Sequence, residues 1–261
     1  MAVERIKYQA GNVTAHGALV WNDKISTKRP LLLVMSNWLG VTDTIIKRAE
    51  KMAGDKYIAF VGCMYGEGKT AEGPPESQEL MMAVRADRVE GRKRVNAALQ
   101  AMISEADKHG IGDSSKKAAV GFCFGGGNVL ELARSGADLD AVVCLHGDLA
   151  TTMPAKKGDI KAAIFVLHGS KDPISGQADR NALADADLRR TPAFLRGRRD
   201  RHAGRGEVRC RRRAPDLSDA RRFHPGCVRE AALVLHDEAK RRSVTQASVH
   251  FGLLRSGVIG R

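Results

Sequence analysis

No run of about 18 apolar residues occurs anywhere in the 261 residues, so no transmembrane helix is expected. The opening stretch MAVERIKYQAG lacks an apolar core and a small-residue cleavage site, which argues against secretion and for the cytoplasm. The 5 cysteines are odd in number and lack metal-ligand spacing, so they build no disulfide framework and imply no metal. Cys63 and Cys144 fall within apolar runs and are expected as buried small hydrophobes. No internal repeat is present. Lysine is nearly missing from the last part of the chain: residues 189–261 hold 1 Lys and 18 Arg, against 15 Lys and 9 Arg before them. The net charge of +13 is therefore uneven, with +1 in residues 1–188 and +12 in the remainder.

The length suits one α/β domain. Residues 4–22 alternate polar and apolar side chains and read as a pair of edge strands. Residues 30–36 and 57–63 are continuous apolar runs, the pattern of strands buried on both faces, as are 141–145 and 162–167. Between the first two, Ile45, Ile46, Ala49 and Met52 share one face of a helix from about Thr42, with Gly54 near its end. Residues 77–109 are helical by pattern, in two pieces closed by Gly110, and a further helix is expected from Asn128 to about Arg134. Strands alternating with helices predict a doubly wound, mostly parallel sheet with helices on both faces.

One segment carries chemistry. Residues 117–123 read as a strand that runs into Gly121-Phe-Cys123-Phe-Gly125, the G-x-nucleophile-x-G spacing of a strand-to-helix elbow. Such a turn lifts the thiol above the sheet beside a helix N-terminus, whose partial positive charge favours thiolate. The amide of Phe124 then lies where an oxyanion would form. The alternative is a glycine-rich turn that happens to hold a buried cysteine.

The order of motifs from residue 10 to 188 resembles the dienelactone hydrolase family. Asn37-Trp-Leu-Gly40 follows the first central strand and Met64-Tyr-Gly66 the second. The elbow continues through Gly127, His146-Gly147 ends one later strand, and His168-Gly-Ser-Lys-Asp-Pro173 ends the next. The resemblance implies an α/β-hydrolase fold over 1–261 and an ester or lactone hydrolase without cofactor, acting through an acyl-enzyme. It implies Cys123 as nucleophile, Asp172 as the acid that orients a histidine, and the amides of Trp38 and Phe124 around the oxyanion. A small-molecule ester or lactone is the expected partner, with the chain as monomer or homodimer. Asp172 also stands just past a buried strand, where open α/β sheets carry their sites, although a turn-forming Asp before Pro173 would look the same. His146 and His168 read as structural histidines at strand ends. Arg85 and Arg88 lie in a helix from which the family recruits arginines for substrate carboxylates. Solvated helix charges beside Asp87 and Glu90 are the preferred account of both. One departure is Asn37, where the family often has a glutamate that partners the thiol. An amide cannot take that proton.

The family's histidine falls about 30 residues after the acid, which selects His202, with His224 as second candidate. No strand-like run precedes His202, and Arg196, Arg198, Arg199 and Arg201 crowd it. Familiar features return near residues 237–251, where Asp237 to Ser243 and Phe251 resemble the family's last helix, with Val244 in place of a tryptophan. Residues 189–235 therefore look foreign: out of frame, or a disordered basic segment. A catalytically impaired hydrolase whose basic arm, centred on Arg209-Cys-Arg-Arg-Arg213, binds nucleic acid or anionic surfaces is the competing reading. The arm lacks interleaved aromatics, so nucleic acid is not expected as a partner. Arginine enrichment with lysine loss is what a shifted frame in a GC-rich gene produces. Resequencing the coding DNA should reveal paired shifts, and an unbroken frame through codons 185–240 overturns that reading.

Overall fold

The computed structural model describes residues 1–167 in full, together with the backbones of two strands at 194–199 and 208–212. Along the chain these are β1 (Ala2–Ala10), β2 (Val13–Trp21), β3 (Arg29–Met35), α1 (Asp43–Ala53), β4 (Ile58–Gly62), α2 (Glu76–Ala86), α3 (Arg88–Lys108), β5 (Gly112–Phe122), α4 (Phe124–Arg134), β6 (Ala141–Leu145), β7 (Ala163–Leu167), β8 (Phe194–Arg199) and β9 (Val208–Arg212). The nine strands form one sheet in the order β1-β2-β4-β3-β5-β6-β7-β8-β9. Pairing is parallel from β4 through β8, while β1/β2, β2/β4 and β8/β9 are antiparallel.

The apolar runs occupy the middle of this sheet because only strands covered on both faces can hold unbroken apolar sequence. All five residues of β4 and of β6 are buried, and so are Leu31 to Met35 of β3. The face of α1 that includes Ile45, Ile46, Ala49 and Met52 is buried, and the helix ends at Gly54 with φ +45°. Core residues from Ile6 to Val166 form a single cluster. No helix among the described residues is long and apolar enough to cross a membrane.

Three boundaries differ from the sequence pattern. β5 starts at Gly112 rather than Lys117, because its polar beginning pairs with Arg29 and Pro30 before a register shift. α4 starts at Phe124 rather than Asn128, so three glycines lie in its first turn. The third difference concerns residues 194–199, where no strand was expected. β8 pairs with β7 in parallel, from Ile164↔Phe194 to Leu167↔Gly197. The open edge of β7 presents unpaired main-chain donors and acceptors, and the β8 ladder satisfies them with backbone groups alone. By the same main-chain pairing Arg209 to Arg212 stand in β9 against β8.

The β1–β2 hairpin is fastened to α3 at its turn. Glu90 accepts the Asn12 amide at 2.7 Å and the Arg94 Nε at 3.4 Å, and Gly11 turns at φ +60° beside it. A Cβ on Gly11 would lie 2.0 Å from Glu90 Oε1. The Asn12 amide first, and Arg94 next, hold the Glu90 carboxyl below its ordinary value of 4.5. A depressed folded-state value stabilises the fold above the unfolded value, and the contribution is lost as pH falls through the folded one. Glu90→Gln should therefore lower stability at pH 7 by about 1 kcal/mol, the scale of one charge-assisted hydrogen bond. In urea titrations the difference from the parent should shrink as pH drops below about 4.

Candidate active site

β5 ends at Phe122, and the next residue, Cys123, has φ 53° and ψ −116° before α4 begins. A side chain in this region is strained by roughly 1–3 kcal/mol, so the surroundings must impose it. They do so through glycine contacts. A Cβ on Gly121 would sit 2.0 Å from the Gly125 carbonyl oxygen, and one on Gly125 would sit 2.3 Å from the carbonyl oxygens of Met35 and Ser36. A Cβ on Gly126 would lie 2.9 Å from the Gly147 Cα. The elbow thus closes on itself, on the end of β3 and on the turn after β6. Cys123 donates its amide to Leu145 O at 2.9 Å, and its carbonyl accepts the amides of Gly126 (2.9 Å) and Gly127 (3.3 Å).

The three described thiols are not equivalent. Cys63 and Cys144 are buried, whereas Cys123 is partly exposed. Burial pushes the Cys144 thiol up to about 12 and raises that of Cys63, which also donates to Tyr65 O at 2.6 Å. Both are held protonated as packing groups. Cys123 alone combines access with a helix N-terminus, where partial positive charge favours an anion.

Opposite the elbow lies the loop after β3. Asn37 Oδ1 accepts the Leu39 amide at 3.0 Å, and Asn37 O accepts the Gly40 amide at 3.4 Å. Asn37 therefore shapes its own loop, a local bond typical of Asn. The segment after β4 latches this loop from outside. Ala71 N donates to Leu39 O at 3.0 Å, and Gly40 bridges Thr70. Tyr65 donates its hydroxyl to Trp38 O at 2.9 Å and stacks on Phe124, with centroids 5.9 Å apart and planes at 12°. Tyr65 was not singled out by sequence reasoning, although Met64-Tyr-Gly66 marked the right segment. The structure thus joins Cys123, Phe124, Trp38 and Tyr65 at the C-terminal edge of β3, β4 and β5.

Arg85 and Arg88 are not solvated charges beside Asp87 and Glu90. Asp87 instead caps α3 by accepting the Glu90 amide at 2.9 Å. Arg85 pairs with Asp148 at 3.2 Å, and Arg88 reaches Asp148 at 3.7 Å and Glu131 at 3.8 Å. Arg92 and the buried Arg134 bind Glu131 at 2.8 and 2.9 Å. These partners lie on α4 and after β6, too far along the chain for helix periodicity to reveal them. His146 was expected as a structural histidine capping the sheet. The ring is exposed, and it is the main-chain amide that caps, donating to Leu167 O at 2.7 Å with φ 43°. Asp172, His202, His168 and His224 lie outside the described residues, as do residues 237–251.

Chemically, a partly exposed thiol at a helix N-terminus, beside a loop held in place by its neighbours, can attack a carbonyl whose oxyanion main-chain amides then stabilise. No group of three or more His, Cys, Asp or Glu among the described residues could hold a metal ion.

The sequence profile of the dienelactone hydrolase family matches residues 16–192. The match stops where the arginine-rich stretch begins. Among solved structures, a dienelactone hydrolase-like promiscuous phosphotriesterase from metagenomic libraries is similar at 28% identity and TM-score 0.67, covering 89% of this chain and 98% of its own. A protein named m3DLH is similar at 25% identity and TM-score 0.67, with 88% and 98% covered. A lipase/esterase from Lactobacillus plantarum shares the fold at 14% identity and TM-score 0.52, covering 74% and 88%. No curated protein matches the chain.

The glycine contacts make a prediction whose sign is informative. Helix propensity alone would make Gly125→Ala stabilising by up to about 1 kcal/mol. The 2.3 Å approach to the Met35 and Ser36 carbonyls makes it destabilising instead, by about 2 kcal/mol or more. The denaturation midpoint should fall.

Proposed function

The chain belongs to the dienelactone hydrolase family of α/β-hydrolases, and we propose that it cleaves an ester or lactone with Cys123 as nucleophile, Asp172 and His202 completing the triad. The observation that carries this reading is the left-handed backbone at Cys123, φ 53°, held by the close glycine contacts of the elbow. Strain of this kind is kept where it positions a reacting group.

In this mechanism His202 takes the proton of the Cys123 thiol, and the resulting thiolate adds to the substrate carbonyl carbon. The electron pair displaced onto oxygen is received by the amides of Phe124 and Trp38. Phe124 is the first residue of α4, so its amide has no partner within the helix. Collapse of the tetrahedral species expels the alkoxide, which takes a proton from the His202 imidazolium. A water deprotonated by His202 then releases the acid and restores the thiol. For a lactone, alcohol and acid remain one molecule.

Topology supports the assignment of the base. β7 and β8 run parallel to β5, so the segments that leave them start on the elbow's edge of the sheet. Asp172 follows the end of β7 at Leu167 by five residues, and His202 follows the end of β8 at Arg199 by three. The strand expected before the family's histidine is therefore available to His202. Asn37, engaged with Leu39, supplies no carboxylate to the thiol. The substrate is accordingly read as an ester or lactone that needs none.

Hydrolysis of p-nitrophenyl acetate should fall to background in Cys123→Ala and after iodoacetamide. His202→Ala should lower kcat by about 10²–10⁴-fold, the usual contribution of a general base. Activity that survives Cys123→Ala would rule out the thiol mechanism. Full activity in His202→Ala would move the base elsewhere.

A further inference from the structure

We propose that Tyr65 is a positioning residue that holds the two oxyanion-binding amides, Phe124 N and Trp38 N, at a fixed separation, an inference that rests on the function proposed above. Those amides belong to segments 86 residues apart in sequence, one opening α4 and one in the loop after β3. The Tyr65 side chain touches both segments. Its ring lies flat on the Phe124 ring at 5.9 Å, and its hydroxyl holds Trp38 O at 2.9 Å.

The loop geometry shows why one bond suffices. Asn37 holds the turn from within, through Leu39 N at 3.0 Å and Gly40 N at 3.4 Å. Ala71 and Thr70 hold its far end at Leu39 and Gly40. The Tyr65 bond fixes the peptide between Trp38 and Leu39, next to the peptide that carries the Trp38 amide. Tyr65 is itself anchored, since it is 3% exposed and Cys63 Sγ donates to its carbonyl at 2.6 Å. Burial also holds the phenol above its ordinary range, so it stays a donor at working pH.

A residue that only filled space would affect stability, and both reactions of Cys123 equally. A residue that sets the oxyanion amides affects acylation alone, because alkylation by iodoacetamide forms no oxyanion. The test compares two rates in the full chain, acylation by p-nitrophenyl acetate and alkylation by iodoacetamide, the latter read at the Cys123 peptide by mass spectrometry. Tyr65→Phe keeps the stack and loses the hydroxyl. It should lower kcat and the acylation rate about tenfold, with KM and the alkylation rate unchanged. Tyr65→4-aminophenylalanine, a weaker donor at the same place, should fall between the two, and it supplies the test if the phenylalanine variant does not fold. An acylation-to-alkylation ratio equal to that of the parent in either variant overturns the proposal. So does an equal fall in both rates. Cys123→Ala is assayed alongside: retained hydrolysis there overturns the thiol mechanism and this inference together. Abolished hydrolysis with an unchanged ratio at Tyr65 overturns this inference alone.

Discussion

The backbone at Cys123 can hold its left-handed turn only because two glycines let three pieces of chain meet at contact distance. Gly121 faces the Gly125 carbonyl, and Gly125 faces the carbonyls that end β3. A methyl group at either place would separate β5 from α4 or α4 from β3. From this closure follow the exposure of the thiol, the direction of the Phe124 amide, and the nearness of the loop that carries Trp38. The poor helix propensity of Gly125, Gly126 and Gly127 is tolerated because their small size is what the packing requires.

Around the elbow, polar contacts hold what apolar packing leaves free. Arg85, Arg88, Arg92 and Arg134 surround Asp148 and Glu131, tying α2 and α3 to α4 and to the turn after β6. Partly buried pairs of this kind add little net stability, but removing one partner leaves an uncompensated charge. Their effect is to fix the register of the helices against the elbow.

Much of this could be read from residue order. The buried strands announced themselves because burial on both faces forces unbroken apolar runs, and α1 did so because its apolar residues recur at helical spacing. The elbow was legible because nucleophile and glycines lie within five residues of one another. β8 was not, since the ladder with β7 is made by backbone atoms that every residue carries, and Arg196 and Arg198 concealed it. Asn37 read as a missing carboxylate, yet its side chain has a local task that spacing alone could not rank above others.

The sequence by itself determined the central strands, the helices and the place of Cys123, because each is marked by a pattern within a few residues. Only the tertiary structure decided which residues meet there. Tyr65 reaches Trp38 across 27 positions and Phe124 across 59, and Arg85 finds Asp148 rather than Asp87. Such pairings are set by how strands and helices stack after the core closes, and no periodicity along the chain encodes them.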